Sequence, residues 1–400
     1  MKIEKSPGSR FEIQRREYSE SMFPVQDRVR QSSTGMLARL SVAWITVALF
    51  LMFGGAWLGD QTPVLQAAGL FLWLFTVILW SSFGCVKEAD SLADLLGEPL
   101  GSLVLALAII TIEAVLIGAV VLGSNNGPTM GRDTIFAANM IMINAAGGLA
   151  LLIGGLRHKE QEYNLQGAAA YLAVIIPLAV IGLILPGFTH AEPRGSVTPI
   201  QAGAIGVLTV FLYIIFLLLQ VGRHKHFFAE VRSERPGEDT AAADIHQSPK
   251  GSVGKHTLLL LAGILPIILL SGSLAKLIDR GIALLNAPSA LGGILIALLV
   301  VSPKAISAVA AGVADQPMRA VNLALGSCAP AIGLTVPVIL GIGVITGKTI
   351  IMGLGPGEAV LLALTLLLSA VTFSGPRTTL LEGAAHLVVF FMYIVLIFSP

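Results

Sequence analysis

Long uninterrupted apolar runs dominate this sequence, and they leave it few ways to fold. About 20 residues of helix cross ~30 Å of hydrocarbon, so a run of 18 or more apolar residues is the signature of a membrane span. The charges are too sparse for a water-soluble alternative. Only 12% of the 400 residues are Asp, Glu, Lys or Arg, and 55% are hydrophobic, whereas a soluble domain is about 25% charged.

Eleven spans are expected, near 37–58, 64–86, 102–123, 137–156, 168–187, 200–222, 257–277, 290–312, 320–346, 357–374 and 379–398. The fold class is an all-α polytopic membrane protein. A polar stretch from Arg223 to His256, carrying Pro236-Gly237, reads as a loop between two halves. The first apolar run starts near Leu37, too late for a cleaved signal sequence, and reads as a retained span. Cys85 and Cys328 lie in or beside apolar segments and suggest no disulfide.

Lys and Arg separate by side. Alternate loops on one side hold 19, the other side holds 5, and Lys304 lies inside a span. The richer side is expected to be cytoplasmic, with the N-terminus inside and the C-terminus outside.

Two segments match: Gly97–Glu113, GEPLGSLVLALAIITIE, and Asn286–Lys304, NAPSALGGILIALLVVSPK. Each has a proline, then a small pair (Gly101-Ser102, Gly292-Gly293), then an apolar run. Each run ends at a charge 12 positions beyond the first glycine of its pair. With 1–36 as a cytoplasmic segment and 37–58 as an extra first span, 64–222 and 257–398 form two five-helix units joined by a cytoplasmic loop, 223–256. Five is odd, so the copies sit inverted, a recurring design of secondary transporters with midplane sites. Chance similarity of small-residue helix starts is the rival explanation. Symmetry sets Glu113 and Lys304 at comparable depth, facing each other.

A mid-span ionisable residue is costly and usually functional. Glu113 has at least ten mostly apolar residues on either side. It can coordinate a hard cation or accept a proton when the cation leaves; the plainer alternative is a structural, hydrogen-bonded carboxyl. A lone ammonium there must be neutral or paired, so Lys304 either meets Glu113 or points along its helix toward the interface. Ser102, Thr111, Asn139, Asn144, Ser302, Asn322, Ser327 and Thr335 offer oxygens, although most small polar residues in such helices serve packing. Pro303 and Pro330 free backbone carbonyls. Asp90, Asp94 and Glu98 share a helical face, which either concentrates cations at a mouth or is simply solvated. Glu382 and His386, four apart, relay protons or pair near the interface. The histidines at 224, 226, 246 and 256 fit no closed metal site. No P-loop, dinucleotide fingerprint, HExxH or CxxC occurs, which argues against an ATP-driven pump or a metalloprotease.

The segments GEPLGSLVLALAIITIE, RDTIFAANMIMINAAGGLALLIGGLRHKEQEYNLQG, SPKAISAVAAGVADQPMRAVNLALGS and GPRTTLLEGAAHL resemble the ChaA-type calcium/proton antiporters of the cation/calcium exchanger superfamily. The resemblance implies five plus five inverted helices after an extra first one. It also implies exchange of Ca²⁺, and in some members Na⁺ or K⁺, for H⁺, in a bacterial inner membrane. The family carries one mid-membrane glutamate per half. Glu113 matches the first. The second belongs to a Ser-Pro-Glu sequence, and here that position reads Ser302-Pro303-Lys304, a departure that bears on divalent selectivity. The expected transporter is not an enzyme and needs no cofactor beyond the transported cation and H⁺. Its partners are those ions and the bilayer, with no nucleic acid. A passive cation channel and a membrane-embedded enzyme acting on a lipid-linked substrate are the competing functions.

Overall fold

The computed structural model describes residues 33–59, 62–97, 100–124, 128–222, 224–228 and 252–399. Among them are eleven apolar helices in chain order. They are α1 (Ser33–Trp57), α2 (Val64–Leu96), α3 (Leu100–Gly123) and α4 (Met130–His158). Then come α5 (Leu165–Phe188), α6 (Pro199–Val221), α7 (Val253–Leu285) and α8 (Ala290–Val313). The last are α9 (Pro317–Thr346), α10 (Pro356–Thr372) and α11 (Leu380–Phe398). Ten are long and apolar enough to span a membrane, and α10 is a shorter apolar helix of 17 residues. Leu51, Ile200, Phe211 and Leu218 stand exposed, a surface suited to lipid rather than water.

Local chemistry sets the helix ends. Thr198 and Gln201 cap α6 reciprocally behind Pro199, and Thr379 and Glu382 do the same for α11. The two longest helices outrun their expected spans, α7 ending at Leu285 rather than near 277. Helix α2 continues ten residues past the expected end at 86, to Leu96, because its last turns carry Lys87, Asp90 and Asp94 on a helix that outruns the apolar segment. Helix α8 runs unbroken through Pro303.

Helix packing follows a twofold exchange of α2–α6 with α7–α11. The two 33-residue helices, α2 and α7, pack along each other, and α1 lies against both. Helix α4 packs on α8 and α11, while α9 packs on α3 and α6. The connections obey the same exchange with the membrane faces swapped. At one face β1 (Gln161–Glu162), after α4, pairs antiparallel with β2 (Arg377–Thr378), before α11. At the other face Ser196, before α6, bridges Ile351, after α9. This is the inverted repeat.

Helices α4 and α9 also depart from regular α-helix in equivalent places. Helix α4 is π-helical over Met140–Gly147, and α9 is interrupted at Leu334, four residues after Pro330. Such irregularities mark sites where backbone hydrogen bonding is relaxed.

The small pairs of the repeat motif have a packing reason. A Cβ on Gly293 would lie 2.7 Å from the carbonyl carbon and 2.8 Å from the Cβ of Asp133 on α4. Close backbone approach of this kind is how membrane helices associate. Gly293→Ala should therefore push α8 off α4 and cost about 1–3 kcal/mol, read as a lower melting temperature in detergent. An unchanged melting temperature would show that the contact relaxes freely.

Polar contacts clamp both ends of the α2–α7 pair. His256 Nδ1 lies 2.7 Å from Glu88 Oε2 at the β1–β2 face. At the opposite face Ser124 donates to Asp279 at 2.9 and 3.1 Å, and Arg280 donates to the carbonyls of Gly59 and Thr62.

Candidate functional site

Helix α3 is apolar apart from its hydroxyls and one carboxylate, Glu113, only 2% exposed. Helix α8 brings Lys304 to it from 191 residues away. Lys304 Nζ donates to Glu113 Oε2 at 2.9 Å, with side-chain exposures of 10% and 3%. The two charges that the repeat aligns in sequence thus meet across the repeat interface. A buried ion pair offsets its desolvation only with close geometry and with its remaining lone pairs satisfied; the 2.9 Å contact supplies the first.

The pair leaves one oxygen over. Glu113 Oε1 is buried without a hydrogen-bond partner among the described residues. A buried acceptor left unmade costs about 1–3 kcal/mol, so it marks a place where a proton, a water or a cation can bind. Glu113 lines a small cavity of about 20 Å³ together with Ser82, Pro303 and Lys304, room for about one water-sized guest.

The remaining predicted oxygens divide. Ser302 donates to the Leu298 carbonyl of its own helix, Ser327 to Leu323 at 2.6 Å, and Thr111, exposed, to Leu107 at 2.7 Å. Thr111 therefore turns away from the core. Asn322 donates to the Phe228 carbonyl at 2.6 Å, which ties α9 to the short turn Lys225–Phe228 after α6; its Oδ1 is buried and unpartnered. Asn139 Oδ1 and Thr335 Oγ1 are likewise buried without partners. The side chain of Ser102, together with Glu98 and His246, lies outside the described residues. Asp90 and Asp94 are exposed on the last turns of α2. No group of three or more His, Cys, Asp or Glu that could hold a metal ion occurs among the described residues.

Glu382 and His386 go separate ways. Glu382 accepts from Thr379 N at 2.9 Å and Thr379 Oγ1 at 2.5 Å. His386, 1% exposed, reaches Asn144 Oδ1 through Nδ1 at 2.8 Å and Thr372 Oγ1 through Nε2 at 3.2 Å. Asn144 donates onward to Thr365 at 2.9 Å. Sequence spacing suggested the His–Glu pair, but the π-helical turn of α4 presents Asn144 to His386 instead.

Each membrane face carries a polar arrangement. At the β1–β2 face Arg377 grips Glu160 at 3.0 Å and also Glu162. These hydrogen bonds, to Glu162 first, raise the guanidinium pKa further above its ordinary value. Tyr163 donates to the Gly375 carbonyl. Burial, then the nearby Glu382 charge, push its hydroxyl up to about 12, so it stays a neutral donor. At the other face a cavity of about 260 Å³ is lined by Asp133, Glu358, Pro288 and Tyr393. There Arg132 holds Asp133 at 2.8 Å and Glu358 at 3.7 Å and donates to the Gly353 carbonyl at 2.6 Å.

Known proteins share this architecture. The sequence model of the family described as sodium/calcium exchanger protein matches residues 66–222 and 255–399, both beyond α1. The sodium-potassium/proton antiporter ChaA of Escherichia coli (strain K12) is 34% identical over 362 residues, spanning 90% of this chain and 96% of its own. The Ca²⁺/H⁺ antiporter of Synechocystis sp. is 25% identical over 358 residues, spanning 83% and 90%. The solved structure of native YfkE superposes with a TM-score of 0.67 over 90% of this chain and 100% of its own, at 16% identity, a likeness of fold.

Proposed function

The chain belongs to the sodium/calcium exchanger protein family, and from that membership we propose that it is a secondary active transporter exchanging a cation for protons across a bacterial inner membrane. One observation carries the reading at the level of residues: a carboxylate buried at the repeat interface keeps one oxygen on an ammonium and leaves the other without a partner. Such a carboxylate can hold a proton or a cation in turn, and each occupant excludes the other by charge. Mutual exclusion at one site, inside two inverted halves able to alternate, is sufficient for antiport.

Lys304 gives the cycle a third occupant. Its ammonium stands where a bound cation's charge would lie, so the site is close to neutral while the pair is made. Entry of a monovalent cation displaces the ammonium from Glu113, and the departing ion returns it. A divalent ion gains less from one carboxylate beside an ammonium than from two carboxylates, because Coulomb attraction scales with the product of charges. The proposed substrates are therefore Na⁺ or K⁺ ahead of Ca²⁺. The similarity to a sodium-potassium/proton antiporter favours the same order.

Flux in everted vesicles tests the reading. With Na⁺, K⁺ and Ca²⁺ compared under an imposed pH gradient, at least one should dissipate the gradient. Cation conduction that ignores the gradient would favour a channel.

The proposed orientation has the β1–β2 face in the cytoplasm, as the 19-to-5 distribution of Lys and Arg predicts. With eleven spans the C-terminus is then outside. A C-terminal reporter active only in the cytoplasm should be silent, and a bright one would refute this topology.

A further inference from the structure

The serine hydroxyls of this bundle have a common habit from which Ser82 departs. Ser302, Ser307, Ser327 and Ser369 each donate to the carbonyl four residues back in their own helix. This is the usual way to satisfy a hydroxyl in lipid. The hydroxyl of Ser82, on α2 and only 4% exposed, has no hydrogen-bond partner among the described residues. Ser82 lines the same small cavity as Lys304 and as Glu113, whose Oε1 is likewise buried without a partner. Two residues from different helices, each with a buried, unsatisfied oxygen, therefore line one space large enough for a single guest.

We propose that Ser82 is a further ligand of the transported cation, binding it jointly with Glu113 once Lys304 has moved off the carboxylate. This rests on the exchange reading above and adds a group to it. A hard cation needs several oxygens, and a hydroxyl supplies one without changing the charge of the site. An unmade hydroxyl in a dry interior is a standing cost, so a residue serving only the fold would be better as alanine. Ser82 also lies on α2, which packs along α7. Occupancy of the site is thereby coupled to the helix pair that joins the two halves, and not only to α3 and α8.

The test is Ser82→Ala in the full-length protein, measured in two ways. In proteoliposomes the apparent KM for the transported cation should rise about tenfold, the scale of one lost hydrogen bond to a charged partner. In detergent, NaCl, KCl or CaCl₂ should raise the melting temperature of the parent chain, and Ser82→Ala should lose most of that rise. Its melting temperature without added cation should equal or exceed the parent's. An unchanged KM with an unchanged cation-induced shift overturns the proposal, as does a variant that loses its fold, which would assign the hydroxyl to packing. If the parent exchanges cations and only the variant's expected deficit is missing, the exchange reading stands and Ser82 alone is dismissed. A parent with neither exchange nor a cation-induced shift overturns both.

Discussion

Glu113→Gln abolishes proton-coupled cation flux: the expected rate in everted vesicles falls on the order of a hundredfold, about 2.7 kcal/mol, or to background. The amide keeps the size and planarity of the carboxyl but can neither carry a proton across nor hold a cation by charge. The structure adds a complication to the simple substitution. Removing the carboxylate leaves the Lys304 ammonium without its 2.9 Å partner, and breaking a buried pair from one side costs about 3–5 kcal/mol. A poorly folded Glu113→Gln would therefore be silent for the wrong reason. The double variant Glu113→Gln with Lys304→Met removes both charges at similar volume and should insert and melt close to the parent while still lacking exchange. Coupled flux surviving in either variant would reduce Glu113 to a structural carboxyl.

Lys304→Glu should turn the site toward divalent ions. It replaces an ammonium by a second carboxylate facing Glu113, taking the local charge from near zero to about minus two. The two carboxylates repel until a cation or a proton lies between them, and a doubly charged ion relieves that repulsion most. The apparent KM for Ca²⁺ should fall at least tenfold, about 1.4 kcal/mol, and the preference for Na⁺ or K⁺ over Ca²⁺ should shrink with it. A parent chain that already exchanges Ca²⁺ with high affinity, and does not respond to Lys304→Glu, would show that the ammonium has no part in selectivity.

Much of the candidate site is legible in the sequence, for a specific reason. Glu113 and Lys304 break long apolar runs at equivalent positions of two similar segments, and a charge in that setting is conspicuous because lipid penalises it. Their meeting at 2.9 Å follows from the inverted repeat. Ser82 had no such mark. It stands in a helix rich in small and apolar residues, and nothing local tells a serine that back-bonds to its own helix from one that does not. Thr111 lies close to Glu113 in sequence and reads as an oxygen source, yet it turns outward. Helix α3 is apolar all round, so its pattern carries no information on which side faces the partner helix.

That this chain lies in a membrane as helices is readable residue by residue, because the transfer of apolar runs out of water is a local sum. The matching segments point to a duplication, and an odd-numbered repeat of spans can only be placed inverted; the mirrored connections at the two faces settle it against chance similarity. Three outcomes come from packing in three dimensions: which residues line the small cavity, that α2 reaches Leu96, and that His386 meets Asn144 rather than Glu382. Those outcomes depend on helix rotation, close backbone approach at glycines such as Gly293, and the π-helical turn of α4. In a helix surrounded by apolar neighbours and apolar lipid alike, no hydropathy difference selects the rotation. Packing and hydrogen bonds between segments more than a hundred residues apart select it instead.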